Sequence, residues 1–137
     1  MAYASDADLI DYVSDIFEHG IETFEAELAA STSDIQRKIK GEWFGTQHSV
    51  STFNPDLLDA SQWVRANVYH SLAYYILPKL ANFGEGDTFL NMMAFYRDRF
   101  ATEYSEVMRA GINYDFNADE SYDEADTSYV TSNRLDR

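Results

Sequence analysis

The sequence predicts an all-α fold: a small bundle of about four helices, followed by an acidic loop and an extended C-terminal tail. Three observations carry this. Apolar residues recur at the three- and four-residue spacing of one helix face through most of residues 5–111. Helix-starting residues head these stretches (Ser5, Asn54 with Pro55, Asp87), and helix-ending ones close them (Gly20, Pro78, Gly111). Hydrophobic residues make up 45% of the chain, with nine Phe, ten Tyr and two Trp, so a core of ordinary size can form. A chain of 137 residues buries roughly two-thirds of its unfolded surface, which suits one domain. The expected division is a helical bundle over 1–111, an acidic loop over 112–126 and a docking tail over 127–137.

The first helix opens at Ser5, with Asp8 at the third helical position as a weak capping box. Leu9, Tyr12, Val13, Ile16 and Phe17 share one arc; Asp8, Asp11, Asp15 and Glu18 share the opposite one. That is a surface helix with a solvated acidic face, ending or bending at Gly20. A second pattern runs from Ile21 through Phe24, Leu28, Ile35 and Ile39 to Trp43. Its middle, "AASTSD", is weak in helix propensity, which predicts a break near Ser31 to Ser33. "QRKIK", residues 36–40, is the one basic cluster, too small for a nucleic-acid patch and better matched to an acidic neighbour. Residues 45–54 read as a loop with His48 exposed; Asn54 and Pro55 then open a long helix to Leu77, which Pro78 ends or kinks.

The wheel of that third helix is unusual. Val64, Val68, Leu72, Tyr75 and Ile76 form a core arc, while Trp63, His70 and Tyr74 lie on the other side, around Asn67. A helix apolar nearly all round must be covered twice, and in a domain this small the second cover is expected to be another subunit. After a turn over 82–87, Asp87 caps the last long helix. Its Phe89, Leu90, Met93, Tyr96, Phe100, Tyr104, Val107 and Met108 line one face until Gly111 closes it. Arg99 with Glu103, and Glu106 with Arg109, have the spacing of surface ion pairs. Arg97 points into the apolar arc and Phe95 out of it; with Trp63, His70 and Tyr74 they make the expected subunit interface.

Twenty-four acidic residues against ten basic ones give a net charge of −14, and nine acids precede the first basic residue, Arg37. Such a surface repels phosphate and so disfavours a tight grip on nucleic acid or on an anionic membrane; a protein that avoids DNA or imitates it stays open. With no cysteine there is no disulfide and no thiolate metal site, which fits a reducing cytoplasm. The N-terminal stretch lacks the basic and apolar regions of a signal peptide, and no run is long enough to cross a bilayer, so a soluble chain is expected. There is no phosphate-cradling glycine loop, no G-x-S-x-G and no H-E-x-x-H, and His19, His48 and His70 lack metal-ligand spacing. The expectation is a protein that is not an enzyme.

One stretch has the outline of a metal site. Asp115, Asn117, Asp119, Ser121, Asp123 and Asp126 occupy positions 1, 3, 5, 7, 9 and 12 of a calcium loop of the EF-hand type, in a chain otherwise expected to hold no cofactor. Glu120 stands where that loop needs glycine, Tyr122 replaces a branched aliphatic, and Asp126 is one methylene shorter than the usual bidentate Glu. No second loop pairs with it, and "TSYVTSNR" is a poor exiting helix. It is a calcium loop in outline only, and the plainer reading is a solvated acidic turn.

The segments around that loop resemble the head–tail adaptor, or neck connector, proteins of tailed bacteriophages. The resemblance is carried by "DIQRKIKGEWF", "ASQWVRANVYHSLAYYILPKL", "FYRDRFATEYSEVMRAGINYDFNADES" and the terminal "SNRLDR", in matching order over residues 5–137. In that family a helix rich in Tyr and Arg leads into a sequence like Y-D-x-N-x-D-G and a short tail. Here Tyr114, Asp115, Asn117 and Asp119 match, and Glu120 replaces the glycine. The resemblance implies a structural virion protein of the neck, assembled in the host cytoplasm as a dodecameric ring beneath the portal protein. The ring would extend the DNA channel, let DNA pass without specific binding, dock the next neck or tail component, and touch no membrane. It places Tyr129, Val130, Arg134, Leu135 and Arg137 at the portal contact. Two other readings stay open. One is an acidic DNA mimic that inhibits a DNA-binding protein, although Arg65, Arg97, Arg99 and Arg109 interrupt its acidic rows. The other is a small calcium-binding module.

Overall fold

The computed structural model describes residues 2–17, 21–44, 53–80, 86–114 and 127–128; their regular structure is helical apart from one short strand pair and an isolated bridge. Helix α1 spans Asp6–Tyr12. Its start follows the local signal: the Asp8 carboxylate accepts the Ser5 N–H at 2.8 Å and the Ser5 hydroxyl at 3.1 Å. It is shorter than its apolar arc, because Val13 is extended and Val13 and Ile16 reach the core through a turn. Asp6 caps the next helix from a distance, accepting the Thr23 hydroxyl at 2.6 Å and the Phe24 N–H at 3.0 Å. The stop expected at Gly20, together with Glu18 and His19, lies outside the described residues.

Helix α2, Glu25–Ile39, continues into a π-helical turn, Lys40–Phe44. The break expected near Ser31 to Ser33 does not occur. Ser31 and Thr32 face inward and are buried, and each has a tertiary partner. Thr32 Oγ1 accepts the Tyr3 N–H at 3.1 Å, and Ser31 Oγ meets Asn67 Nδ2 at 3.1 Å and His70 Nδ1 at 2.9 Å. Low propensity is a weak bias, and buried hydrogen bonds from other elements override it.

Asn54 caps as expected, accepting the Asp56 N–H at 3.0 Å, but it opens only a 3₁₀ turn, Pro55–Leu57. Leu58 is extended and bridges Tyr114. The long helical run therefore starts at a second 3₁₀ turn, Ala60–Trp63, and continues as α3 (Val64–Ser71), a π-helical turn (Leu72–Ile76) and α4 (Leu77–Leu80). Pro78 neither ends this run nor interrupts it. Proline cannot donate the usual backbone bond; the π turn just before it shifts the pattern, with the Leu77 N–H reaching the Leu72 carbonyl, and the run passes through.

Helix α5, Gly86–Ala110, packs along α3, the π turn and α4, while α2 packs on the other side of α3. The all-round apolar run is thus the middle layer of its own chain. The second cover is α5, not another subunit, and this corrects the sequence expectation. Trp63, Ala66, Val68, Leu72, Ile76 and Leu77 are fully buried. On α5, Phe89, Tyr96, Phe100, Tyr104, Val107 and Met108 face inward as predicted, whereas Leu90 lies outward, 53% exposed.

Gly111 closes α5 at φ 108, its N–H bonded to the Val107 carbonyl at 3.0 Å, a conformation that favours glycine. The core continues past it, with Ile112 and Tyr114 buried. Residues 111–114 are stitched to 54–62. Gln62 donates to the Gly111 carbonyl at 2.8 Å and accepts the Asn113 N–H at 2.8 Å; Asp59 donates its N–H to the Asn113 carbonyl at 3.1 Å; the Tyr114 hydroxyl accepts the Asn54 N–H at 3.1 Å. The Tyr114 ring packs against Trp43, Phe44 and Phe53. Strand β1 (Ile112–Asn113) pairs antiparallel with β2 (Thr127–Ser128).

Candidate docking surface

A polar seam fixes how α2 and α3 meet. Asn67 is fully buried; its Oδ1 accepts the Ala4 N–H at 2.8 Å, and its Nδ2 donates to the Leu28 carbonyl and to Ser31 Oγ, both at 3.1 Å. Ser31 Oγ accepts from Asn67 Nδ2 and hydrogen-bonds with His70 Nδ1, 2.9 Å away. Burial holds the His70 imidazole below its usual pKa; Lys38 acts in the same direction, and Asp34 opposes both.

Outside this seam, α5 presents two flanks, since residues two apart on a helix point to opposite sides. On one flank Phe95 is 54% exposed, and the Arg99 guanidinium lies 5.5 Å from its ring centroid and 5.8 Å from that of Tyr69. Tyr69 stacks on Tyr96 at 5.9 Å and meets the edge of Tyr12, on α1, at 5.4 Å. Arg65 joins this flank, 3.7 Å from Glu103; its pKa is raised first by a hydrogen bond with Tyr12 and then by the Glu103 charge.

On the other flank a groove of about 620 Å³ runs between the end of α2 and α5. Phe100, Tyr104 and Met108, at successive four-residue steps, form its floor. At one end Tyr74 is 44% exposed, its ring tilted against that of His70 at 4.6 Å, with Arg97 over it at 5.4 Å. Lys38 lies 2.7 Å from Glu42 and 4.7 Å from the centroid of Tyr104. Burial pushes the Tyr104 phenol pKa far up, and the Glu42 charge adds to it. Arg109 lines the groove towards the C-terminal end of α5. The basic cluster at 36–40 finds its acids within its own chain: Arg37 with Asp34 at 3.1 Å and Lys38 with Glu42.

The expected interface residues divide. Trp63 is fully buried, its ring 5.9 Å from that of Tyr104, so it is a core anchor and not a surface residue; it turned inward because α5, not a partner, covers that side of α3. His70 is half-buried under Tyr74 and edge-on to Phe100 at 4.8 Å. Tyr74 and Arg97 share the groove end, and Phe95 stands on the opposite flank. Glu103 reaches Arg65 on α3, while Arg99 rests on two rings. Arg99, expected to pair with Glu103, lies instead on two rings, and the roles of Tyr69 and Lys38 were not foreseen, although Phe95 with Arg99 and Arg65 with Tyr69 stand four apart on one face.

The calcium-like positions Asp115, Asn117, Asp119, Ser121, Asp123 and Asp126 lie outside the described residues, as do the loop residues 45–52 with His48, the turn at 82–85 and the tail residues Tyr129, Val130, Arg134, Leu135 and Arg137. The frame of the acidic run is described at both ends: it leaves β1 and returns into β2, so a strand follows it where an EF-hand has a helix. Among the described residues no group of three or more His, Asp or Glu side chains is placed to hold a metal ion, and no helix is long and apolar enough to cross a membrane. No known family model, curated protein or solved structure matches this chain.

Proposed function

We propose that this chain is a structural component of a tailed-phage neck: a head–tail adaptor that forms a ring under the portal protein, extends the DNA channel and docks the next neck or tail component. The observation that carries the reading is the outer side of α5 with its neighbours, where the large apolar side chains Leu90, Phe95 and Tyr74 stay exposed. Large exposed apolar side chains beside arginines, as Tyr74 is beside Arg97 and Phe95 beside Arg99, are what a protein contact uses. Two further features support it. A net charge of −14 suits a wall past which DNA slides without sticking. Residues 129–137 carry Tyr129, Val130, Arg134, Leu135 and Arg137, which the family resemblance assigns to the portal contact. No catalytic role and no bound cofactor are part of the proposal.

The test is co-sedimentation with the portal of the same virus, comparing the full chain with one stopped after Ser128, which keeps β2. The full chain is expected to pellet with the portal as a ring and the shortened chain to stay in the supernatant. If neither pellets and the full chain instead captures a DNA-binding protein, the adaptor reading is wrong and the DNA-mimic reading replaces it.

A further inference from the structure

We infer that the groove between α2 and α5 receives the acidic α1 end of a second copy of this chain, packed head to tail. The inference rests on the ring reading above and assigns the two surfaces that would meet. Both are present on one chain, and their charges are complementary. Arg97 and Arg109 are exposed at the groove, and neither joins a salt bridge among the described residues. Twelve residues apart on one helix, they stand about 18 Å from each other, with the apolar floor of Phe100, Tyr104 and Met108 between them. Asp11 and Asp15 with Glu22 and Glu25, at and after α1, are all exposed, and none joins a salt bridge among the described residues. Next to Asp11 in sequence, Ile10 is 45% exposed, an apolar side chain left outside the core. A chain this acidic repels its own copies, so a self-contact is favourable only where its few cations meet its acids.

The placement of the two surfaces sets the symmetry. Tyr12, at the end of α1, touches Tyr69 on the Arg99 flank of α5, whereas the groove opens on the other flank. A surface that fits a different surface on its neighbour leaves one of each free, so the contact propagates and closes as a ring when the rotation allows. Asp98, on the groove rim, works against the incoming carboxylates, while Glu42 is already engaged by Lys38.

The chain has no cysteine, so engineered thiols report the contact cleanly. Ile10→Cys and Ala101→Cys both alter exposed residues, one on α1 and one in the groove. Mixed and oxidised, free at high concentration and on the portal, the two variants are expected to form a mixed disulfide at least about tenfold faster than either forms one with itself. The double variant in one chain should give a ladder of oligomers, not a dimer. Arg97→Glu with Arg109→Glu should slow the mixed disulfide, and raising the ionic strength from about 0.05 to about 0.5 M should do the same. The assignment is overturned if Ala101→Cys pairs mainly with itself, or if the mixed pair forms no faster in either setting than a Leu90→Cys control. A ladder without portal co-sedimentation would retain the contact and reject the adaptor role; a portal-bound ring without the mixed disulfide would do the reverse.

Discussion

Replacing Asn67 with alanine should cost this fold more than any other change of a polar residue among those described. The side chain is fully buried and makes three hydrogen bonds, to the Ala4 N–H, the Leu28 carbonyl and Ser31 Oγ. Truncation leaves the buried Ala4 N–H without its acceptor, worth about 1–3 kcal/mol, and removes a donor from Ser31, worth about 1 kcal/mol. The lost amide leaves a void of roughly 40 Å³, which adds about 1 kcal/mol. The sum, about 3–5 kcal/mol, is at least about a fifth of the roughly 5–15 kcal/mol that holds a domain together. Urea unfolding of Asn67→Ala should show a lower midpoint at an unchanged slope, and amide exchange should show residues 2–4 losing protection first. Asn67→Asp should be worse at pH 7 than at pH 4.5, relative to the parent, because a carboxylate faces the Leu28 carbonyl and only its protonated form can donate to it. A loss below about 1 kcal/mol for Asn67→Ala would refute the view that this residue ties the N-terminal strap, α2 and α3 together.

Other outcomes follow from the same geometry. Burial lowers the His70 pKa, so the unfolded chain takes up a proton there first as the pH falls. The stability tied to its neutral form is complete above about pH 6.5 and is lost on acidification below that, down to the folded value; His70→Gln should flatten this part of the stability–pH curve, and an unchanged slope would assign it to other groups. Gly111→Ala forces a side chain into the left-handed region and should cost about 1–2 kcal/mol by thermal or urea unfolding; a neutral result would deny the positive φ. Trp43 and Trp63 are both fully buried, so native fluorescence should be blue-shifted and resistant to acrylamide. Trp63→Ala should cost about 3–5 kcal/mol, whereas a surface Trp63 would give red-shifted emission and a small loss.

The adaptor reading and the groove contact draw on different parts of the molecule and fail separately. Portal binding rests on the tail beyond β2, while self-contact rests on α1 and on the groove side of α5. A chain that forms a ring on the portal through some other contact would keep the first and discard the second.

Much of the architecture was legible from residues within a turn of one another. The Ser5–Asp8 cap, the Asn54 cap, the stop at Gly111 and the inward face of α5 all depend on spacings of four residues or fewer, and each stands where the sequence predicts it. The all-α class follows from the same short-range periodicity. Part of the candidate surface was legible too, since Tyr74, Phe95 and Arg97 break the apolar pattern and are exposed. What lay beyond that range was decided by packing. α2 runs through Ser31 and Thr32 because Tyr3, Asn67 and His70, distant in sequence, supply partners for their hydroxyls. Trp63 lies in the core, and the run through Pro78 is covered on both sides, because α5 folds back over α3 and α4. Periodicity shows that a face must be buried; only the tertiary structure decides what buries it, because an apolar side chain is stabilised equally by its own chain or by a neighbour.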